Sequence, residues 1–339
     1  MYTDHYGLAE RPFQLTPDAR YWYESRTHKK AMAYLGYGLA QGEGFIVITG
    51  EIGAGKSTLV AHLMATIDRE RLNAISLVST QVEGDDMLRL AAQGLGLETG
   101  NVTKALLLDR IEQRLREEAG RGKRTLLVVD EAQNLPVSAL EELRMLSNFT
   151  SQGRALIQIF LLGQPEFRDR VAGEDSLEQL RQRVIASHHL DAMEANEVEP
   201  YMVHRLAVAG WEGRPSFDSD SFAALYRHSG GVPRKLNQLA NRLLLYAGVE
   251  RLESISGNDV EAVAADMAAD RPASASKRVL PLRRPSTAGA DPVGDPSLER
   301  RIAAIEARLD EQEAAVRRVL TVLLDWVENE SQPRRSNAA

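Results

Sequence analysis

The stretch "FIVITGEIGAGKSTLVAHL", residues 45–63, decides the fold because it joins an apolar, β-branched run to a glycine-rich turn and then to a helix-like pattern. Within it, GEIGAGKS has the spacing of a phosphate-binding loop, in which glycines are followed by Lys and Ser. The glycines allow consecutive backbone N–H groups to turn toward an anion, and the N-terminus of the following helix adds partial positive charge. The predicted nucleotide-binding residues are Gly50, Glu51, Ile52, Gly53, Ala54, Gly55, Lys56, Ser57 and Thr58.

A second motif, "RTLLVVDEAQNL" at residues 124–135, supplies acidic groups for the same site. Its apolar run carries Asp130 to the end of a buried strand, where the carboxylate can hold Mg²⁺ through water. In the loop, Lys56 can reach the β- and γ-phosphates and the Ser57 hydroxyl can ligate the metal. Glu131 points differently from its neighbour and can face the attacking water. The two motifs predict a site for ATP and Mg²⁺, with Ser57 and Asp130 as metal ligands and Glu131 as the catalytic base.

The pattern around these motifs indicates the fold class. Between about residues 45 and 191, short β-branched runs alternate with amphipathic stretches. Buried parallel strands that alternate with helices are typical of an α/β sheet with helices on both faces. We therefore predict the α/β fold of P-loop NTPases. The strand candidates are FIVIT, NAISLVS, TLLVVD, ALIQIFLL and ASHHLD.

Three further segments follow the predicted sheet. From 194 to 269, apolar residues recur at three- and four-residue spacing, which predicts a small all-helical domain. Residues 270–297 are rich in Pro, Ser, Ala and Gly and locally basic, which predicts a flexible linker. Residues 298–330 carry apolar residues at alternating four- and three-residue steps. That stripe fits a coiled coil and self-association, although a single amphipathic helix lying on its own globule would show the same pattern.

Composition restricts the function classes. The chain has 339 residues, 43% of them hydrophobic, no cysteine and a formal net charge of −7. Without cysteine, disulfides and thiolate metal sites are excluded, and the acidic balance disfavours bulk binding of polyanions. The N-terminus lacks the uninterrupted apolar stretch of a signal peptide, and no segment approaches the ~18 consecutive apolar residues that span a bilayer. We expect a soluble cytoplasmic protein.

The order of five motifs resembles one family. GEIGAGKST, LLVVDEAQNL, LLGQPEFRDR, LRQRV and GGVPRKLNQLANR follow one another as they do in AAA+ ATPases of the ExeA/GspA (general secretion pathway protein A) type. The resemblance covers about residues 1–268. It implies an AAA+ α/β domain with the family's N-terminal signature over residues 1–193 and a helical lid over 194–269. Similar short ATPases accompany exosortase/PEP-CTERM exopolysaccharide systems, and the transposition ATPases of the TniB/TnsC type are related.

The resemblance also implies roles for four polar residues. Gln164 matches sensor 1, the group that helps to orient water near the γ-phosphate. Arg183 matches the arginine that reaches the γ-phosphate of a neighbouring subunit, and Arg181 is the near alternative. Arg234 matches sensor 2, which the lid carries onto the nucleotide of its own subunit. The aromatic run at Tyr21, Trp22 and Tyr23 is expected to pack near the N-terminus, with contact to the nucleotide base as the alternative.

Three functions follow as hypotheses. The first is an oligomeric ATPase, in a ring or filament, that energises or regulates a secretion or exopolysaccharide-export assembly through protein partners. The second is an ATP-dependent DNA-binding regulator like the transposition ATPases, which the basic linker favours and the acidic balance disfavours. The third, a scaffold that binds nucleotide without cleaving it, does not need the full catalytic set. The long secretion ATPases of this group continue into a membrane span and a periplasmic region that this sequence does not show. The shorter cytoplasmic relatives are therefore expected to be the better guide, with any membrane attachment made through a partner.

Overall fold

The computed structural model describes residues 2–78, 82–100 and 102–270. Five parallel strands form the central sheet, in the order β2-β3-β6-β1-β7, and two pairs of short strands lie outside it. In chain order the strands are β1 (Phe45–Gly50), β2 (Leu72–Val78), β3 (Arg124–Asp130), β4 (Thr150–Ser151), β5 (Arg154–Ala155), β6 (Ile157–Gly163), β7 (Val184–Leu190), β8 (Ser216–Phe217) and β9 (Ser254–Ile255).

Helices cover both faces of the sheet and form the region after it. The described α-helices are α1 (Tyr2–Tyr6), α2 (Arg26–Gln41), α3 (Lys56–Thr66), α4 (Gly84–Gly94), α5 (Lys104–Gly120), α6 (Val137–Leu146), α7 (Pro165–Gly173), α8 (Glu178–Arg181), α9 (Ala195–Val208), α10 (Ser219–Ser229), α11 (Pro233–Glu250) and α12 (Gly257–Ala269). Short 3₁₀ turns lie at Ala19–Tyr21, Ala132–Asn134 and Asp175–Leu177.

The sheet forms because its strands are buried on both faces. Every residue of β1 and β6 is buried, as is every residue of β3 after its first. One face packs against α4, α5 and α6, and the other packs against α2 and α3. Side chains that alternate along a strand therefore enter two different cores. The predicted α/β class, with a parallel sheet flanked by helices, is confirmed, and each of the five predicted runs forms a strand of the sheet.

The region after the sheet is helical as predicted, with one addition. Helices α9 to α12 share a separate buried core. The short strands β8 and β9 pair in parallel beside them, and this bridge has no counterpart in the predicted all-helical pattern. Strand β8 is only two residues long, too short for the sequence to show an alternating pattern.

The N-terminal segment packs with the helical region and not with the sheet. Tyr2, Tyr6, Leu8 and Phe13 are all buried in the core of helices α9 to α12. Buried Arg205 on α9 fastens this segment, because its Nε donates to the Pro12 carbonyl at 2.7 Å. The first residues of the predicted 1–193 domain therefore pack with the helices that follow the sheet. The bounds of that domain stay a prediction.

Two expectations concern residues beyond those described. The predicted linker at 270–297 and the coiled-coil helix at 298–330 lie outside the described residues, apart from Asp270 at the end of α12. None of the helices in the described part of the chain combines the length and the hydropathy that a bilayer-spanning helix requires.

Candidate active site

The phosphate loop joins the carboxyl end of β1 to the N-terminus of α3, at the centre of the sheet. Gly53 and Gly55 adopt φ values of 86° and 100°, in the left-handed region that glycine enters without steric cost. Gly50 is needed for a different reason, since a Cβ there would lie 2.9 Å from the Leu190 Cβ on the neighbouring strand β7. The glycines therefore allow the loop to turn tightly at the end of β1. The first residues of α3 then line the cleft.

Lys56, the first residue of α3, points back into the loop. Its Nζ donates hydrogen bonds to the carbonyls of Gly50 at 2.6 Å and Glu51 at 3.1 Å. Burial lowers the pKa of this ammonium, while the carboxylates of Glu131 and Asp130 act in the opposite direction. The lysine is thus held close to two acidic groups at the position where phosphate oxygens would lie in a P-loop.

Ser57 and Asp130 meet although 73 residues separate them. The Ser57 Oγ donates to the Asp130 Oδ2 at 3.1 Å, and the other carboxylate oxygen accepts the N–H of Glu131 at 2.9 Å. A hydroxyl and a carboxylate are the hard oxygen donors that Mg²⁺ prefers, with waters and phosphate oxygens as its other ligands. The two predicted metal ligands therefore fit Mg²⁺ in donor chemistry and in proximity.

Glu131 is held in an uncommon backbone conformation, with φ 55° and ψ 40°. Its Oε2 accepts hydrogen bonds from the Gln133 Nε2 at 2.5 Å and from the Gln164 Nε2 at 3.5 Å. The Gln133 Oε1 in turn accepts the backbone N–H of Gln164 at 3.0 Å. Three side chains thus form one network, in which the predicted base and the predicted sensor 1 residue are joined through Gln133.

Sequence reasoning missed Gln133. It lies in the 3₁₀ turn Ala132–Asn134 directly after the acidic pair, and nothing in its spacing separates it from an ordinary turn residue. The only available signal was its position two residues after Glu131, close enough in the chain for a side chain to fold back.

Arg234, the predicted sensor 2 residue, lies beside the phosphate loop. It is the second residue of α11, and its backbone N–H donates to the Gly53 carbonyl at 3.1 Å. The arginine side chain lines the same cleft as Lys56 and Glu131. The lid helix therefore contacts the phosphate loop directly.

Arg183 lies away from this cleft. It precedes β7, and the pairing of β1 with β7 places Val184 opposite Phe45 and Leu190 opposite Gly50. Six residues of extended chain separate the two ends, roughly 20 Å. The Arg183 guanidinium lies 3.5 Å from the Ser147 hydroxyl. The neighbouring candidate, Arg181, is occupied differently, since it forms the ion pair with Glu178 and donates to the Ala172 carbonyl at 2.6 Å.

The cleft between the loop and the helical region has a volume of about 360 Å³. Part of its lining is apolar or aromatic, and the predicted aromatic run contributes all three of its rings. The apolar and aromatic residues of the lining are Leu15, Pro17, Tyr21, Trp22, Tyr23, Ile52, Tyr201 and Pro233. Trp22 stacks on His62 at 4.3 Å between ring centroids, and the Arg205 guanidinium lies 4.6 Å from the Tyr21 ring centroid. These rings therefore pack against neighbours and also line the cleft.

His28 packs against the phosphate loop at Gly55. It is 6% exposed, its Nδ1 lies 2.7 Å from the Ser25 Oγ, and a Cβ on Gly55 would lie 2.6 Å from its Nε2. Burial lowers the pKa of this imidazole to about 4. The loop thus rests on a neutral ring at physiological pH.

Comparison with known sequences agrees with this geometry. Residues 39–171 match the model of a family described as an AAA domain. Over 271 residues the chain is 35% identical to "General secretion pathway protein A" of Aeromonas hydrophila, an alignment that covers 80% of this chain and 49% of that protein. The chain therefore spans about half the length of this relative.

Comparison with solved structures shows the fold. Cdc6p from Pyrobaculum aerophilum has a TM-score of 0.59 at 14% identity, over 75% of this chain and 70% of that one. The ADP form of the Aeropyrum pernix ORC2 protein has a TM-score of 0.55 at 16% identity, over 76% and 72%. At these identities the likeness extends to the fold alone.

Proposed function

The chain carries an AAA domain of the ExeA/GspA type, and from this premise we propose that it is an oligomeric ATPase that binds ATP with Mg²⁺ and hydrolyses it. The observation that carries the proposal is the 3.1 Å hydrogen bond between the Ser57 Oγ and the Asp130 Oδ2. Glu131, Gln164 and Arg234 line or reach the same cleft. Holding a nucleotide needs the first pair, whereas cleaving it needs the second set.

The phosphates would be held by the loop and by Lys56. The backbone N–H groups at the start of α3 would donate to the phosphates, and the Lys56 Nζ can exchange its two carbonyl partners for β- and γ-phosphate oxygens. Ser57 and Asp130 would hold Mg²⁺, which when bound neutralises charge on the phosphate oxygens. Arg234 would add a cation from the lid side.

Cleavage requires an oriented water molecule. The Glu131 carboxylate would accept a hydrogen bond from this water, align it for attack on the γ-phosphorus and take up its proton. The Gln133 and Gln164 amides donate to the Oε2 of Glu131, which leaves its Oε1 for the water. The glutamate is thus fixed in orientation before the substrate arrives, which lowers the cost of reaching the reactive geometry.

The proposed biological role is supported by the name of the relative. That protein is named for the general secretion pathway, and we extend a secretion role to this chain, with protein partners of a secretion or exopolysaccharide-export assembly. An AAA+ oligomer would also explain why Arg183 lies roughly 20 Å from its own loop, since an arginine at the far end of β7 is available to an adjacent subunit.

A phosphate-release assay with the purified full chain tests the proposal. We expect steady release of phosphate from ATP with Mg²⁺, and loss of release when EDTA removes the metal. The Lys56→Ala variant should release phosphate at background rate. A wild-type chain that releases none with Mg²⁺, at any protein concentration at which it assembles, would exclude ATP hydrolysis.

The DNA-binding alternative has weaker support. Its main sequence argument was the basic linker, which lies outside the described residues. The solved structures similar in fold include an Aeropyrum pernix ORC1 protein in complex with DNA, at 15% identity and a TM-score of 0.55. That likeness concerns the fold and carries no binding function to this chain. An ATP-dependent gel shift that weakens with salt would favour this alternative.

A further inference from the structure

A second groove lies away from the nucleotide cleft, at the edge of the sheet. Strand β2 is the last strand of the order β2-β3-β6-β1-β7, and among the described strands it pairs with β3 alone. One row of its backbone N–H and C=O groups is therefore not used by the sheet. The first donor of this row, the Leu72 N–H, bonds to the Asp68 carbonyl at 2.9 Å, which leaves the row open from the Leu72 carbonyl onward. Such an edge is a template for another extended chain unless it is covered or charged.

The first half of this edge lies in a groove of about 440 Å³, which we call the basic groove. Its floor is Leu72, Asn73 and Ala74 of β2, and its walls are the end of α3 on one face of the sheet and the last turns of α5 on the other. The two helical layers thus flank an open strand edge. This is the geometry in which a peptide adds as a further strand.

The charges of the basic groove are unbalanced. Arg69, Arg114, Arg121 and Lys123 line it together with a single carboxylate, that of Glu118. Glu118 is 5% exposed and is shared by the guanidinium groups of Arg114 and Arg121, each at 3.1 Å. Arg114 also pairs with Glu117, outside the groove lining, at 3.4 Å, so Arg69 and Lys123 are the lining cations without a carboxylate partner among the described residues. The concentration of cations contrasts with a chain whose net charge is −7.

Two of these cations have unused donor capacity. The Arg114 Nε is buried and has no hydrogen-bond partner within the described residues. Among the described residues, the Arg69 side chain makes no ion pair or hydrogen bond. The backbone carbonyl of Arg69 accepts a hydrogen bond from the Lys123 Nζ at 3.0 Å. A buried donor without an acceptor is uncommon in folded proteins, so the hydrogen bonds of the groove's own residues do not use every donor of its arginines.

We propose that the basic groove binds an extended acidic segment of a partner protein, which adds as a strand beside β2. The segment's backbone pairs with the open edge of β2, and its carboxylates meet Arg69, Arg114 and Arg121. The open strand edge favours a peptide over a nucleic acid, because only a peptide backbone offers alternating N–H donors and C=O acceptors at the spacing of a strand. The groove and the nucleotide cleft share no lining residue, so peptide binding can be measured apart from ATP hydrolysis.

Fluorescence anisotropy with the full chain tests the proposal. The probe is a labelled octapeptide that alternates Glu with Val or Thr, and a second probe of the same sequence carries N-methyl groups on alternate backbone nitrogens. We expect the first peptide to bind and the methylated one to lose at least about tenfold in affinity, since methylation removes the donors of a strand pairing. Equal binding of the two peptides would exclude strand addition.

Charge-reversal variants locate the site. Arg69→Glu and Arg121→Glu should each weaken binding of the first peptide by about tenfold or more. The matched control is Arg116→Glu, because Arg116 lies on the same helix α5, pairs with Glu112 at 2.6 Å and does not line the groove. It should change affinity by less than about twofold. Equal weakening by the control would show that only overall charge matters, and would overturn the proposal.

A third probe separates the competing ligand class. A labelled oligothymidylate should bind more weakly than the acidic peptide and should be insensitive to Arg69→Glu. If it binds more tightly and responds to the same variants, the groove is a nucleic-acid site and the peptide proposal fails. Failure of every probe to bind also overturns it, without bearing on ATP hydrolysis.

Discussion

The backbone N–H of Arg234 donates a hydrogen bond to the Gly53 carbonyl at 3.1 Å, so the helical lid is bonded to the phosphate loop itself. The approach is close, since a Cβ on Gly53 would lie 2.3 Å from the Arg234 Cβ. Gly53 also has a φ of 86°, which L side chains rarely adopt. The loop and the lid therefore meet at a position that accommodates glycine only.

Replacement of Gly53 by Ala should damage this contact. The new methyl group meets the Arg234 Cβ and not a flexible side-chain end, so either the loop or the lid must shift. The positive φ adds a backbone strain of order 1–2 kcal/mol for alanine. We therefore expect ATP affinity to fall by at least about tenfold in titration calorimetry. The control is Gly36→Ala on α2, where a Cβ would meet nothing within 4 Å. That variant should bind ATP normally, and equal loss in both would contradict the argument.

Gln133 is expected to act as a positioning residue for Glu131, the proposed catalytic base. Because its amide donates to the Glu131 Oε2 and accepts from the Gln164 N–H, Gln133→Ala frees both partners. We expect kcat to fall by about 10- to 100-fold while KM changes little, since the loss concerns the aligned transition state and not ATP binding. Steady-state phosphate release measures both constants.

An exposed glutamine provides the control for Gln133. Among the described residues the exposed Gln182 side chain bonds only to Glu178, at 2.9 Å, so Gln182→Ala should leave kcat within about twofold. A Gln133→Ala variant with raised KM and unchanged kcat would assign this residue to nucleotide binding instead.

Arg183 should act on a neighbouring subunit, because it lies roughly 20 Å along β7 from its own loop. Arg183→Ala should lower the rate about a thousandfold or more. Subunits of Arg183→Ala mixed with subunits of Glu131→Gln should recover activity, since the first supply an intact site and the second an intact arginine. Arg181→Ala should act weakly, because Arg181 is engaged in its exposed ion pair with Glu178. Mixtures that stay inactive, in oligomers shown to be mixed, would contradict action in trans.

Acid should destabilise the protein through His28. Its pKa is 6.5 in an unperturbed state and about 4 when folded. Between these values the unfolded chain binds the proton more readily, so stability falls as the pH is lowered through this window. The loss between pH 7.5 and pH 5 is about 2 kcal/mol. Urea unfolding should show that His28→Asn, which can keep the bond to Ser25, loses less stability than wild type over this range. Equal losses of stability in the variant and the wild type would mean that other groups cause the destabilisation at low pH.

The sheet and the main site could be predicted because their signals are local. The strand β3 is a continuous apolar run that ends at Asp130, and the phosphate loop is defined by glycines within eight residues. Such features depend on neighbours in the chain, and parallel strand ends bring them to one edge of the sheet. Lys56, Ser57 and Asp130 could therefore be expected at one edge of the sheet from the sequence alone, and the structure places them there.

The remainder depends on contacts between distant residues. Arg205 holds the Pro12 carbonyl across 193 positions, and this contact places the N-terminal segment on the lid. No periodicity reports such a pairing. Gln133 was missed for a related reason, since its role depends on where β6 delivers Gln164. The basic groove likewise forms only when α5 and β2 are folded beside each other.

The Glu131→Gln variant tests the central claim most directly, by calorimetric titration of ATP with Mg²⁺ and phosphate release on the same preparation. Because this change keeps the size of the side chain and removes only the base, the variant should bind ATP as tightly as wild type within about threefold, and release phosphate at least about a hundredfold more slowly. Unchanged turnover in this variant, or no detectable ATP binding by the wild-type chain, would contradict a hydrolytic site formed by Lys56, Asp130 and Glu131.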